Sequence, residues 1–139
     1  MARVLLVEDD NAVRDLMVMA LEDADHVAWP VSDGREALTT ALTARPDVIV
    51  LDYLLPYLHG SEVLTQLTGT PEVAQIPVVL CTALSPREID LDTLPARVVP
   101  LFKPFDLDNF LNLVDRLCAP HGTTAPICTR STWTPNPAE

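Results

Sequence analysis

The sequence predicts an α/β fold in which a five-stranded parallel sheet lies between two layers of helices. Short apolar segments and amphipathic segments alternate five times along the chain, which is the pattern of repeated βαβ units. The apolar segments lack polar alternation, so both faces of the sheet should be covered. With right-handed crossovers, a flavodoxin-like, doubly wound sheet with strand order 2-1-3-4-5 and five flanking helices is favoured.

The five predicted strands are short and rich in valine, leucine and isoleucine. They cover residues 3–7, 26–31, 48–51, 76–81 and 98–102, and Asp52 and Thr82 directly follow the third and fourth. The fifth strand lies at an edge of the predicted sheet. That place suits Pro100, because proline cannot donate a ladder hydrogen bond.

Each predicted helix has a recognisable start or apolar stripe. Asp10 and Asn11 are possible caps for the first helix, and Asp33 to Glu36 resembles a capping box for the second, which must end before Pro46. The third helix begins at Gly60, the short fourth at Ser85-Pro86 and the fifth at Asp106. The first helix should bury the stripe Val13, Leu16, Met17, Ala20 and Leu21.

Composition indicates one domain with an acidic surface. The chain has 139 residues and a formal net charge of −11, which argues against nucleic acid or an anionic membrane as a direct partner. The longest apolar runs are too short to span a membrane, and acids follow the first strand too early for a signal peptide. Three cysteines without CxxC spacing indicate neither a disulfide framework nor a zinc site, so we expect a cytoplasmic protein.

The chain divides into a domain over residues 1–118 and a tail over residues 119–139. The tail contains four prolines and five threonines with little hydrophobic periodicity, which predicts a flexible segment without its own fold. Trp133 or Ile127 could dock on the domain.

Polar side chains gather where the predicted strands end. Glu8 and Asp9 follow the first strand, and Asp52, Thr82 and Lys103 follow the third, fourth and fifth. Ligands of open α/β sheets bind beyond these carboxyl ends. Clustered carboxylates repel unless a cation joins them, and oxygen ligands suit Mg²⁺. A lysine and a hydroxyl beside the metal would hold a phosphoryl group, and a central Asp52 could be its nucleophile; the plain alternative is an ordinary acidic loop.

Lys103 is the only lysine, whereas the other eight basic residues are arginines. Chance could retain one lysine in an arginine-rich sequence. The chemical alternative is that position 103 needs a compact ammonium on a flexible stem, which a forked guanidinium does not replace.

These motifs together resemble the receiver domain of two-component response regulators, over residues 3–118. The resemblance rests on LLVEDD, on VIVLDYLLP with Gly60 eight residues after Asp52, on VVLCTA and on FKPF. It implies that Asp52 is the phosphoacceptor, that Thr82 is the switch hydroxyl and that Lys103 pairs with Asp52 and then with the phosphate. It also implies a Mg²⁺ site formed by Glu8 through water, Asp9, Asp52 and the backbone carbonyl of Leu54.

The sequence departs from the family at the switch. Pro100 stands where the family usually has a rotating tyrosine or phenylalanine, and proline has no comparable rotamer. Readout would then pass through Thr82 and the short fourth helix.

The family also has side chains flanking the phosphoryl group at positions 54 and 84, and both are leucine here. Two leucines cannot orient a hydrolytic water, so we expect slow self-dephosphorylation.

The resemblance implies a single-domain response regulator that receives its phosphoryl group from a histidine kinase or a phosphotransfer protein and then binds a downstream protein. We expect no enzymatic turnover beyond transfer onto Asp52 and its slow loss. A pseudo-receiver that acts without phosphorylation is the alternative within the fold. An aspartate-nucleophile phosphatase would need an acid where Leu54 stands, and a flavodoxin relative would have the phosphate of its flavin repelled by Glu8 and Asp9.

Overall fold

The computed structural model describes residues 2–53, 60–82, 97–103 and 106–118. Within them, five parallel strands form one sheet in the order β2-β1-β3-β4-β5, which confirms the predicted order. The strands are β1 (Arg3–Val7), β2 (Val27–Val31), β3 (Val48–Asp52), β4 (Val78–Thr82) and β5 (Val98–Phe102). The strand β4 begins later than predicted because the N–H of Ile76 closes a turn onto the carbonyl of Val73 at 3.1 Å.

Four α-helices accompany the sheet in the described part of the chain. They are α1 (Asn11–Asp23), α2 (Ala37–Ala44), α3 (Gly60–Thr68) and α4 (Leu107–Cys118). The predicted helix at Ser85 and the tail over residues 119–139 lie outside the described residues. None of the helices described here combines the length and the apolar character needed to cross a membrane.

The helix starts follow local hydrogen-bonding chemistry. The Asp10 side chain accepts from the N–H groups of Ala12 and Val13 at 2.9 and 3.2 Å, which confirms Asp10 as the cap of α1. Asp33 accepts from the N–H of Arg35 at 2.8 Å. That bond opens a 3₁₀ turn over Gly34–Glu36, and α2 itself begins only at Ala37. The predicted start at Asp33 is therefore that of the turn and not of the α-helix.

Two apolar clusters cover the two faces of the sheet. One joins alternate residues of the strands to α2 and α3, and the other joins the remaining strand residues to α1 and α4. The three central strands are buried on both faces, as their uninterrupted apolar sequences predict. One residue of the predicted α1 stripe differs: Leu16 is 51% exposed, because the helix turns Met17, Ala20 and Leu21 inward instead.

Candidate functional site

The carboxyl ends of four strands bring the predicted polar residues to one edge of the sheet. Glu8 follows β1, Asp52 ends β3, Thr82 ends β4 and Lys103 follows β5. The Nζ atom of Lys103 lies 3.5 Å from Glu8 Oε1 and 3.5 Å from Asp52 Oδ2. Glu8 and Asp52 are only 2% and 7% exposed, so one cation is shared by two carboxylates largely withdrawn from water.

Asp9 completes an oxygen-only cluster. One carboxylate oxygen from each of Glu8, Asp9 and Asp52 lies within 4.8 Å of the other two. Glu8 and Asp52 are buried whereas Asp9 is exposed, so the cluster opens toward solvent on the Asp9 side. Hard oxygen donors with an open side suit Mg²⁺, which keeps several waters when it binds carboxylates. The donor set present therefore fits the predicted metal.

The electrostatics show that these carboxylates lack sufficient positive charge. Burial, and after it the hydrogen bond and the negative charge of Asp52, raise the pKa of Glu8 to about 7, because the N–H of Asp10 and the charge of Lys103 offset only part of this rise. Burial lowers the pKa of the Lys103 ammonium, but the carboxylates of Asp52 and Glu8 outweigh it and hold that pKa above its usual value. Lys103 thus stays charged, and the cluster still favours an added cation.

Two contacts fix Glu8 that the sequence alone did not reveal. Asp10 donates its backbone N–H to Glu8 Oε2 at 3.2 Å, and Arg14 Nη1 donates to the backbone carbonyl of Glu8 at 2.9 Å. Arg14 lies on the first turn of α1, so helix geometry turns it back toward the strand end. Its only signal in the sequence is its spacing, six residues after Glu8.

Gly60 determines how closely α3 approaches Asp52. Its N–H donates to the carbonyl of Tyr53 at 2.7 Å. A Cβ atom at position 60 would lie 2.5 Å from two backbone atoms of Tyr53 and 2.8 Å from the carbonyl oxygen of Asp52. No side chain fits at that distance, so the glycine eight residues after Asp52 is explained by the packing of α3 against the end of β3.

The hydroxyl and the lysine are joined through the backbone. The N–H of Lys103 donates to the carbonyl of Thr82 at 2.6 Å, and Thr82 is fully buried. The Cys81 thiol beside them is not a candidate nucleophile, because burial raises its pKa to about 12. Pro100 lies in the edge strand β5, opposite Leu80, as predicted.

Two predicted contributors lie outside the described residues. They are the Leu54 carbonyl and the side chain at position 84. The structure therefore brings together Glu8, Asp9, Asp52 and Lys103, with Thr82 at the end of the neighbouring strand. This arrangement can hold a divalent cation beside a carboxylate and present an ammonium to an anion at the same carboxylate.

Comparison with known proteins agrees with this geometry. Residues 4–115 match the family model described as "Response regulator receiver domain". The chain is 38% identical over 112 residues to the response regulator MprA of Mycolicibacterium vanbaalenii, covering 78% of this chain and 47% of MprA. It is 31% identical over 136 residues to protein Rrf1 of Nitratidesulfovibrio vulgaris, covering 98% of this chain and 96% of Rrf1. The chain thus spans about half the length of MprA and nearly all of Rrf1.

A solved structure extends the comparison to the fold. The receiver domain of a sensor histidine kinase from Pseudomonas aeruginosa PAO1, solved with a magnesium ion coordinated in its active-site cleft, superposes with a TM-score of 0.76. The two are 25% identical, and the match covers 85% of this chain and 98% of that one. The acidic cluster, the shared lysine, the strand order and these matches lead to one conclusion: the chain belongs to the family of response regulator receiver domains of two-component signalling.

Proposed function

We propose that this receiver accepts a phosphoryl group on Asp52 and passes the signal on through protein contacts. The observation that carries the proposal is the place of Asp52 at the end of the central strand β3, with Lys103 Nζ 3.5 Å from its Oδ2 atom and two further carboxylates beside it. An acceptor carboxylate needs a cation to attract the incoming phosphate and a nearby metal to balance its charge.

The donor is a phosphorylated histidine of a kinase or a phosphotransfer protein. A carboxylate oxygen of Asp52 attacks phosphorus, a P–O bond forms, and the P–N bond to the imidazole breaks with its electron pair going to the nitrogen. Lys103 then pairs with the bound phosphoryl oxygens in place of the free carboxylate. The Thr82 hydroxyl, one strand away, is the group that turns toward the phosphoryl group.

Mg²⁺ would be held by Asp9 and Asp52 directly, by Glu8 through water and by the carbonyl of Leu54. When bound, it neutralises charge that develops on the phosphoryl oxygens. The raised pKa of Glu8 supports this assignment, since a carboxyl group that is poorly neutralised by Lys103 gains from a second cation. The magnesium ion in the related Pseudomonas receiver lends support by likeness.

The cellular setting of the proposal is the cytoplasm, where histidine kinases present their phosphorylated domains. A net charge of −11 supports a protein partner over nucleic acid for these residues.

Leu54 and Leu84 offer no hydrogen bond to a hydrolytic water, and we propose that Asp52 therefore loses its phosphoryl group slowly. Replacement by Leu54→Asn and Leu84→Glu should accelerate that loss, by roughly 5- to 150-fold if one water is correctly placed.

The test is intact-protein mass spectrometry after incubation with acetyl phosphate and Mg²⁺. The wild type should gain about 80 Da, the mass of one phosphoryl group, and Asp52→Asn should gain nothing. Asp47→Asn is a matched control, because Asp47 precedes the same strand at its opposite end. A phosphorylated Asp52→Asn protein would show that the acceptor is elsewhere, and an unmodified wild type would favour the phosphorylation-independent alternative.

A further inference from the structure

A cavity of about 550 Å³ lies beside the free edge of β2. Its lining includes Arg14 of α1, Trp29 and Ser32 around β2, and Thr39 and Thr43 of α2. This volume falls within the usual range of about 300–1,000 Å³ for small-molecule sites. A second cavity in the described residues, near the amino ends of β4 and β5, measures only about 90 Å³. The cavity beside β2 thus has the size to take a ligand.

Two arginines, Arg14 and Arg35, and one carboxylate, that of Glu36, line this cavity. The guanidinium of Arg14 donates to the carbonyl oxygen of Glu8 at 2.9 Å and to the side-chain oxygen of Asn11, and both acceptors are uncharged. Among the described residues no carboxylate lies within ion-pair distance of Arg14. Arg35 also lines the cavity, and it pairs with Asp33 at 2.6 Å. The Arg14 guanidinium can therefore bind an added anion in this cavity.

The other residues that line the cavity are apolar or carry hydroxyl groups. Trp29 projects from the middle of β2 and is half-buried. The helix α2 contains no charged residue from Ala37 to Ala44, although Thr39 and Thr43 on it are exposed. A surface helix normally carries charged side chains on its outer face. Its short hydroxyl side chains leave the cavity open and offer hydrogen bonds without charge.

The free strand edge itself is poorly suited to bind a peptide strand. The N–H of Val27 donates to Ala2 and the carbonyl of Val31 accepts from Glu8, so alternate residues of β2 face β1. Ala28 and Pro30 therefore direct their backbone groups outward. Pro30 has no N–H, which leaves a single outward donor over the strand. Recognition in the cavity must then come from side chains.

We propose that this cavity binds a small anion that carries a planar ring, with the chemistry of a nucleoside monophosphate. The phosphate lies against Arg14 and Arg35, because guanidinium groups bind phosphate oxygens in pairs. The planar base lies against the indole of Trp29, a contact that suits any base. Thr39 and Thr43 line the cavity and can pair with sugar hydroxyls, Thr43 as an acceptor because its own hydroxyl donates to the Thr39 carbonyl at 3.0 Å. This site goes beyond phosphoryl acceptance at Asp52 and does not depend on it.

The experiment uses the full chain with Trp133→Phe, which leaves Trp29 as the sole tryptophan. Equilibrium dialysis with guanosine monophosphate measures affinity, and quenching of Trp29 fluorescence locates the binding. We expect one ligand per chain, with inorganic phosphate and guanosine each binding at least tenfold more weakly. Arg14→Gln should weaken binding at least tenfold, whereas Arg116→Gln, an exposed arginine on α4, should leave it unchanged.

Thr39→Phe gives a second route that does not depend on Arg14. Position 39 is exposed on α2, so the ring can be accommodated at the surface while it fills the cavity, and binding should be lost with helix content unchanged. The proposal is overturned if no nucleotide binds. It is equally overturned if inorganic phosphate binds as tightly as the nucleotide, if Arg116→Gln weakens binding as much as Arg14→Gln, or if folded Thr39→Phe protein still binds.

Discussion

The two ends of the sheet treat charge in opposite ways. At the amino end, His26 and Asp47 each accept a backbone N–H, and Asp47 also forms an ion pair with Arg3. At the carboxyl end, two buried carboxylates share the single ammonium of Lys103. The contrast indicates that contacts at the amino end stabilise the folded state, whereas repulsion between the carboxylates at the carboxyl end destabilises it. Functional sites commonly keep such closely spaced like charges within a stable scaffold.

His26 is the centre of the amino end. The N–H of Ala2 donates to its Nδ1 atom at 2.9 Å, and its Nε2 atom lies 2.8 Å from Asp115 Oδ1 on α4. Since Nδ1 accepts, the ring proton is on Nε2 and is donated to Asp115. The ring is only 2% exposed, and its contacts join the start of β1 to Asp115 on α4, which lies 89 residues after His26 in the sequence.

Arg3 and Asp47 form the second contact at that end. The Asp47 carboxylate accepts the backbone N–H of Arg3 at 2.9 Å, and Arg3 Nη2 lies 3.6 Å from its other oxygen. Arg3 Nε is the exception to the satisfied pattern, a buried donor without a partner among the described residues. At the carboxyl end, by contrast, two carboxylates share the one ammonium of Lys103, which lies 3.5 Å from Glu8 and 3.5 Å from Asp52.

The largest expected effect comes from breaking the amino end at His26. His26→Ala removes a buried ring and leaves the N–H of Ala2 without its acceptor, so it should lower the free energy of unfolding by about 2–4 kcal/mol. Urea denaturation measures this directly. Asp115→Asn is the control, and it should cost under about 1 kcal/mol, because that side chain is 59% exposed and keeps an acceptor oxygen. Equal losses in the two variants would contradict the central role of the ring.

An intermediate effect comes from relieving the carboxyl end at Glu8. Its pKa is about 7 in the folded protein against 4.5 as the ordinary value, so the unfolded chain holds fewer protons between these pH values. Without metal, the free energy of unfolding should therefore fall as pH rises from about 4.5 to about 7, and the loss should remain above that range. Allowing for solvent screening, the fall is about 1–2 kcal/mol.

Glu8→Gln isolates this contribution from the other carboxyl groups. Compared with wild type in chelator-treated buffer, the variant should become more stable as pH passes from about 4.5 to about 7, with no further relative change above. A wild type and variant whose stabilities run parallel across this range would show that Glu8 titrates normally.

The smallest expected effect is at Asp47. Asp47→Ala removes the acceptor for the backbone N–H of Arg3 and should cost about 1 kcal/mol. Asp47→Asn keeps an acceptor oxygen and should cost less. Thermal or urea unfolding of both variants beside the wild type measures the difference. If Asp47→Ala stabilised the protein, the amino end would resemble the carboxyl end, and the comparison would fail.

Much of the fold follows from patterns that are local in sequence. The bounds of β1 and β5, the end of α2 before Pro46 and the strand order were all predicted, because apolar runs, proline and crossover handedness each constrain the chain strongly. The errors were local too. The exposure of Leu16 depends on which face of α1 meets the sheet, and spacing alone does not decide that.

The candidate site was predicted in its residues but not in its support. Glu8, Asp9, Asp52 and Lys103 stand at strand ends, so topology alone brings them together. The contact of Arg14 with the Glu8 carbonyl and the contacts of His26 with Ala2 and Asp115 join residues through the packed fold. His26 and Asp115 are 89 positions apart in the sequence, so no short stretch of sequence could reveal their contact.

The most direct test of the central claim is the dependence of stability on Mg²⁺. The account holds that Glu8, Asp9 and Asp52 repel one another until a divalent cation binds, and only the folded chain brings them together. Urea unfolding at neutral pH should then give a free energy that rises with Mg²⁺, by about 1.4 kcal/mol for each tenfold increase above the dissociation constant. Asp9→Asn should reduce that rise. A wild-type free energy that does not change with Mg²⁺, or an undiminished rise in Asp9→Asn, would contradict the account.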